Sequence, residues 1–175
     1  MLDDGAGSGG EEQAGGGRGL TLSAVSNIYV DADACPVKDE VLRVAERHGL
    51  PVHMVSNSWM RLPESPLVQR VIVAEGPDAA DDWIATRVTA NDIAVTADIL
   101  LAERCVKAGA RALSPAGKPF TPDSIGMAVA MRSLMTHLRE TGESRGFNPS
   151  FTRADRSRFL EALENAVQAI RRGQI

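Results

Sequence analysis

Short apolar runs alternate with longer, helically spaced ones from about residue 25 onward. The short runs predict strands over 27–31, 52–56, 70–74, 93–96 and 110–113. The segments between them place apolar residues one helical turn apart. After Pro36, which suits a first helical turn, Val37, Val41, Leu42, Val44 and Ala45 form such a stripe. Gly49 then reads as a stop. The same reasoning predicts helices over 78–90 and 99–108, and two closing helices over 122–140 and 152–172. The stretch NSWMRLPESP (57–66) is too rich in proline for regular structure and reads as a loop, and SPAGKP (114–119) reads as a turn.

Strands that alternate with helices call for a parallel sheet covered on both faces. The expected fold is therefore α/β, a three-layer sandwich around a mostly parallel sheet of about five strands, followed by C-terminal helices. Ligands of such sheets bind beyond the carboxyl ends of the strands, where the strand order reverses. Residues 1–24 do not share the pattern. Eight of the sixteen glycines lie within the first twenty residues, which predicts a flexible, glycine-rich tail ahead of one domain over 25–175.

Composition narrows the function classes. No apolar run reaches the length of a membrane span, and no basic segment followed by an apolar core reads as a secretory signal. Cys35 and Cys105 are too far apart in sequence for a CxxC motif, which argues against a zinc pattern or a disulfide framework and for a reducing, cytoplasmic setting. The net charge is −4, unevenly spread. Residues 28–98 hold twelve acids and six bases, whereas residues 130–175 hold eight arginines and five acids. An acidic centre with a basic flank suits an anionic substrate that meets bound cations. The arginines alone are equally those of a solvated helix face.

The acids sit where chemistry is expected. The first strand ends in VDAD, so Asp31 and Asp33 point to the same side of an extended chain. Two adjacent like charges need a proton, a lysine or a metal ion to offset them, and Lys38 is the only base close in sequence. Oxygen ligands without a histidine or cysteine cluster favour Mg²⁺ or Mn²⁺. In GPDAADDWIA, Asp78 and Asp81 suit a helix N-terminus. Asp82 borders the core-facing Trp83 and Ile84 and is the stronger site candidate of the three. Asp98 follows the fourth strand and either caps the next helix, with Thr96 as a competitor, or joins the site. Cys35 reads as a small buried residue, and His48, His53 and His137 show no metal spacing. Trp59 in the proline-rich loop is either a stacking platform for a base or an anchor of the loop.

These stretches together resemble one family. VDADACPVKDEVLRVAER, VSNSWM, GPDAADDWIA, VTADILLAE, GARALSPAGKPFTPDSI and MRSLMTHLRETG are similar, in the same order, to the YaiI/YqxD family of uncharacterised bacterial proteins. The resemblance runs from about residue 28 to 159. It implies a PIN-like fold, near the NYN-type ribonucleases, whose acids at the carboxyl edge bind Mg²⁺ or Mn²⁺ and hydrolyse RNA. By position it assigns Asp31, Asp82, with Asp78 or Asp81 as further members, and Asp98 to that acidic set, and places Asn57 in the loop where the family has an alanine–asparagine pair, the alanine being Ser56 here. The chain departs from the family at Ala116, where a Pro-Arg-Gly turn has its arginine, and in SRGFNP (144–149), which has one glycine where the family is glycine-rich.

The expected function is a metal-dependent phosphodiester hydrolase acting on RNA. Asp31, Asp82 and Asp98 are the expected catalytic carboxylates, and Asp33, Asp78 and Asp81 complete the candidate metal ligands. Asn57, Lys38, Arg132 and Arg139 are the candidate substrate contacts, with Arg145 on the same basic surface. One alternative is a module of the same fold that binds RNA or metal without cleaving. The other is an aspartyl-phosphate phosphatase, since Asp-x-Asp at a strand end also serves that chemistry.

Overall fold

The computed structural model describes residues 26–33, 35–74, 76, 78–141 and 150–173. The N-terminal tail, Arg145 and the stretch 144–149 lie outside the described residues. The elements run β1 (Ile28–Asp31), α1 (Lys38–His48), β2 (Val52–Ser56), β3 (Val68–Ile72), α2 (Ala79–Ala85), β4 (Ile93–Val95), α3 (Ile99–Lys107), β5 (Arg111–Leu113), β6 (Pro119–Phe120), α4 (Pro122–Thr141) and α5 (Arg153–Arg171).

Alternation along the central strands builds two cores. Ile28 and Val30 of β1 and Ile93 and Val95 of β4 face one side, where they meet Val41 and Val44 of α1 and Phe159 and Leu163 of α5. Tyr29 and Ala94 face the other side, against Ile84 of α2, Leu101 and Cys105 of α3 and Ile125 of α4. Both faces of the sheet are thus covered, which makes three layers. Gly49 ends α1 in the left-handed conformation (φ 69°), and Leu50 N donates to Ala45 O at 2.9 Å. Thr152 and Asp155 form a reciprocal capping box at the start of α5.

The six strands lie in the order β3-β2-β1-β4-β5-β6. All pairs are parallel except β5–β6. From β1 the chain builds outward to β2 and β3, then returns to the opposite side of β1 as β4. The order reverses between β1 and β4, so the crevice outside their carboxyl ends is the place this architecture offers a ligand.

Most boundaries agree with the sequence expectation to within two residues, and three differences have a clear physical cause. The third strand starts at Val68 rather than 70, because Val52 N reaches Leu67 O and sets the register from there. The helix expected over 78–90 stops at Ala85. The Thr86 hydroxyl donates to Asp82 O, and the buried Asp92 carboxylate collects Thr89 N, the Thr89 hydroxyl and Asn27 N at 2.8–3.0 Å. Those bonds give the backbone an alternative to another helical turn. The sixth strand, Pro119–Phe120, was not expected. It exists because the 114–119 turn folds it back against β5, pairing Phe120 with Ala112. Gly117 makes this turn possible. Its φ is +87°, and a Cβ there would lie 2.6 Å from the Arg158 carbonyl carbon of α5.

Candidate active site at the carboxyl edge of the sheet

The reversal point is occupied by acids held in place by one threonine. Asp31 ends β1 and is half-buried. Its Oδ2 accepts from the Thr96 hydroxyl at 2.9 Å. The same hydroxyl oxygen accepts from Asp98 N at 2.9 Å. Asp98 in turn caps α3, its Oδ1 accepting from Leu100 N at 2.9 Å and Leu101 N at 3.4 Å. Thr96 is buried just past β4, so the ends of the two strands that flank the switch point are tied together through its side chain. In the sequence Thr96 stood out as a rival cap and as the hydroxyl residue that the phosphatase alternative needs after a strand. Its position two residues before a capping aspartate was the available clue.

Asp81 completes the group from a third element, the first turn of α2. Burial, the charges of Asp98 and Asp31, a hydrogen bond with the Asp98 side chain and the charge of Asp78 push its pKa from 3.8 up to about 7. Asp31 is also pushed up, by burial first and by Asp98 and Asp33, with the Thr96 hydrogen bond opposing. Asp81 thus keeps its proton up to near neutral pH, because its charge is costly beside those of its neighbours.

Asp82 lies elsewhere. Its carboxylate takes Arg104 Nη1 at 2.7 Å on an exposed face of α2 and α3. On a short helix, consecutive residues point about 100° apart, so only one of the Asp81-Asp82 pair can face the strand ends. The structure turns Asp81 to them, whereas the sequence had favoured Asp82. Asp78 stands at the N-cap position of α2 but accepts no capping bond with its side chain. Asp33 is exposed, and its Oδ2 accepts from Asn57 N at 3.0 Å, which ties the loop after β1 to the loop after β2. Asn57 itself spends its side-chain amide on Ala74 O at 3.0 Å. Lys38 donates to Cys35 O at 2.8 Å and Ala32 O at 3.4 Å, so it stiffens the loop after β1 and does not neutralise the aspartates.

Arg132 and Arg139 lie on α4, along a groove of about 730 Å³ that also touches Asp98 and Lys118. Trp59 is 64% exposed, with the Arg70 guanidinium 4.9 Å from its ring centroid. It does not anchor its loop in the core; the buried Leu62 does. Cys35 and Cys105 are buried and free, and burial raises both thiol pKa values, Cys105 to about 12, so neither is a ready nucleophile. His48 is fixed by Glu164 at 2.9 Å, and His53 stacks on Tyr29.

The donors fit a hard divalent cation in chemistry. Asp31, Asp81 and Asp98 offer only oxygen, and the neighbouring charges that act on Asp31 and Asp81 are all negative. As the side chains lie, no three His, Cys, Asp or Glu groups among the described residues close around a single point. Holding an ion would require the Asp81 proton to leave and the carboxylates to turn inward.

Comparison with known proteins gives a family and no activity. A family model described as "Uncharacterized BCR, YaiI/YqxD family" matches residues 29–169. A "UPF0178 protein" of Parvibaculum lavamentivorans is 63% identical over 148 residues, covering 85% of this chain and 97% of the relative. Another, of Rhodopseudomonas palustris strain HaA2, is 58% identical over 153 residues, covering 87% and 93%. A third, of Agrobacterium fabrum, is 57% identical over 145 residues, covering 83% and 95%. No solved structure matches the chain. No helix among the described residues is long and apolar enough to cross a membrane.

Proposed function

The chain belongs to the YaiI/YqxD family, and since that membership carries no activity with it, we propose from the site itself that the protein is a metal-dependent phosphodiester hydrolase acting on RNA. The observation that carries this reading is the approach of three carboxylates from three elements at the sheet's switch point, where burial and the surrounding acids raise the proton affinity of Asp31 and Asp81. Holding these charges together is costly to the fold, since each raises the cost of ionising the others. A divalent cation held there offsets the repulsion, and when bound it supplies Lewis acidity and a water that ionises near neutral pH.

Asp31, Asp81 and Asp98 are the residues that would hold Mg²⁺ or Mn²⁺. Thr96 fixes the Asp31 carboxylate, and its contact with Asp98 N fixes the start of α3. Asp33 keeps the two flanking loops in register. Asp81 holds a proton up to about pH 7 in the metal-free protein, and cation binding releases it, so affinity rises with pH through about 7. The cationic groove beside Asp98 favours a polyanionic substrate.

The test is cleavage of an end-labelled RNA pool with Mn²⁺ or with chelator. Cleavage should require the metal, and Asp31→Asn, Asp81→Asn and Asp98→Asn should each lower the rate by about 100-fold or more. Asp82→Asn, which loses only a surface pair, should stay near the parent rate. RNA binding without cleavage would replace the hydrolase with a non-catalytic RNA-binding module. Cleavage that persists in chelator, or in all three variants, would remove the site.

A further inference from the structure

The 20-residue helix α4 is far more exposed than the helices on the other face. Met127 is 69% exposed and Met131 51%, and with Met135 they recur every four residues, forming one stripe. That stripe is one wall of the groove that begins at Asp98. Lys118, Arg132 and Arg139 line the same groove, and among the described residues none of the three makes an ion pair. This is unexpected in a chain of net charge −4 with many surface acids. Arg132 and Arg139 are two helical turns apart, about 10.5 Å along the axis, so they project from one side of the helix.

Apolar, polarizable side chains interleaved with unpaired cations are what an unpaired nucleic-acid strand needs. Flexible methionines accept flat apolar faces of varied shape. Cations take the phosphates. A duplex hides its base faces and would leave the methionines in water. The groove volume of about 730 Å³ is also that of a site for a ligand of drug size, too small for a double helix. The exposed Trp59 ring stands in the loop after β2, over Arg70 of β3. Strands β3 and β4 are separated by β2 and β1, three sheet spacings or about 14 Å.

We propose that the site takes single-stranded RNA along a track with two anchors: bases on the methionine stripe of α4 and phosphates on Lys118, Arg132 and Arg139 at one end, and a base stacked on Trp59 at the other. The backbone between the anchors passes the carboxyl ends of β1 and β4. This rests on the hydrolase reading for its choice of RNA, yet it is tested without catalysis.

The experiment measures fluorescence anisotropy of a fluorescein-labelled twelve-nucleotide uridine RNA, alone and annealed to its complement, across a salt series in chelator. The single strand should bind at least about tenfold tighter than the duplex. Arg132→Ala with Arg139→Ala should flatten the plot of log affinity against log salt by about 0.7 per cation removed. Trp59→Ala should weaken binding about fivefold or more. In a Trp83→Phe background the remaining Trp59 emission should be quenched by the RNA. All of these residues are exposed or half-exposed, and melts of each variant confirm folding. Equal binding of single strand and duplex, or affinity unchanged in both the arginine and the tryptophan variants, overturns the track, even if Mn²⁺-dependent cleavage is found. Binding with the expected dependences but no cleavage supports the track and removes only the hydrolase reading.

Discussion

Replacing Asp81 with asparagine keeps the shape of the side chain and removes its titration. In the folded protein the Asp81 carboxyl is pushed from 3.8 up to about 7, by burial first and then by Asp98 and Asp31. Between about pH 4 and pH 7 the folded state therefore holds a proton that the unfolded chain has released. The stability associated with that proton is complete below pH 4 and is lost as the pH rises through 7. The displacement corresponds to a ceiling of about 4 kcal/mol. Asp81 is partly open to water, so screening reduces this to about 2 kcal/mol. A negative charge in the first turn of α2 is favourable by about 0.3–1 kcal/mol, which the variant forgoes once the parent is ionised. Only the part of the displacement above pH 5 counts here, about 1.3 kcal/mol, so the repulsion still wins and the net advantage of the variant at pH 8 over pH 5 is about 0.3–1 kcal/mol. For a protein of this size that is about 1–3 °C in melting temperature. The assay is thermal or urea unfolding of parent and Asp81→Asn in chelator at both pH values. Groups that do not interact with Asp81 cancel between the two proteins, so the change in the gap between the curves reports Asp81 and the neighbours coupled to it. A gap that stays constant, or narrows as the pH rises, would show that Asp81 does not meet Asp31 and Asp98. Mn²⁺ should raise the melting temperature of the parent more than that of the variant, since only the parent keeps the full ligand set.

Two further substitutions probe how the frame is held. Gly117→Ala should destabilise the protein by more than about 1 kcal/mol in urea unfolding, because the left-handed turn and the Arg158 backbone leave no room for a Cβ; a neutral result would mean that the turn does not pack on α5 as described. Asp92→Ala should cost about 2–3 kcal/mol, since the carboxylate is 3% exposed and serves Asn27 N, Thr89 N and the Thr89 hydroxyl; a loss below 0.5 kcal/mol, roughly that of an ordinary surface change, would refute its bridging role.

Local rules carried much of the architecture. The strand at 52–56 and the αL stop at Gly49 were fixed by apolar spacing and by the one residue type that takes φ near +69° without strain. Apolar strands between amphipathic stripes already required a sheet buried on both sides, and aspartates after the first and fourth strands already pointed to its carboxyl edge. Asp31 and Asp98 could be named from position alone, because a residue that ends a parallel strand or closely follows one lies at its carboxyl edge. What sequence could not supply is direction in space. Asp81 and Asp82 are neighbours on the same short helix, and only the packing of Ile84 into the core sets which of them faces the strand ends and which meets Arg104. Thr96 bonds a residue sixty-five positions away, so its role exists only once β1 and β4 are paired. The cationic groove is likewise a product of α4 lying beside the start of α3, which places Lys118, Arg132 and Arg139 near Asp98. Propensity and periodicity act over a few residues and determine the elements. The convergence of charges arises from contacts between elements distant in the chain, and those are decided by tertiary packing.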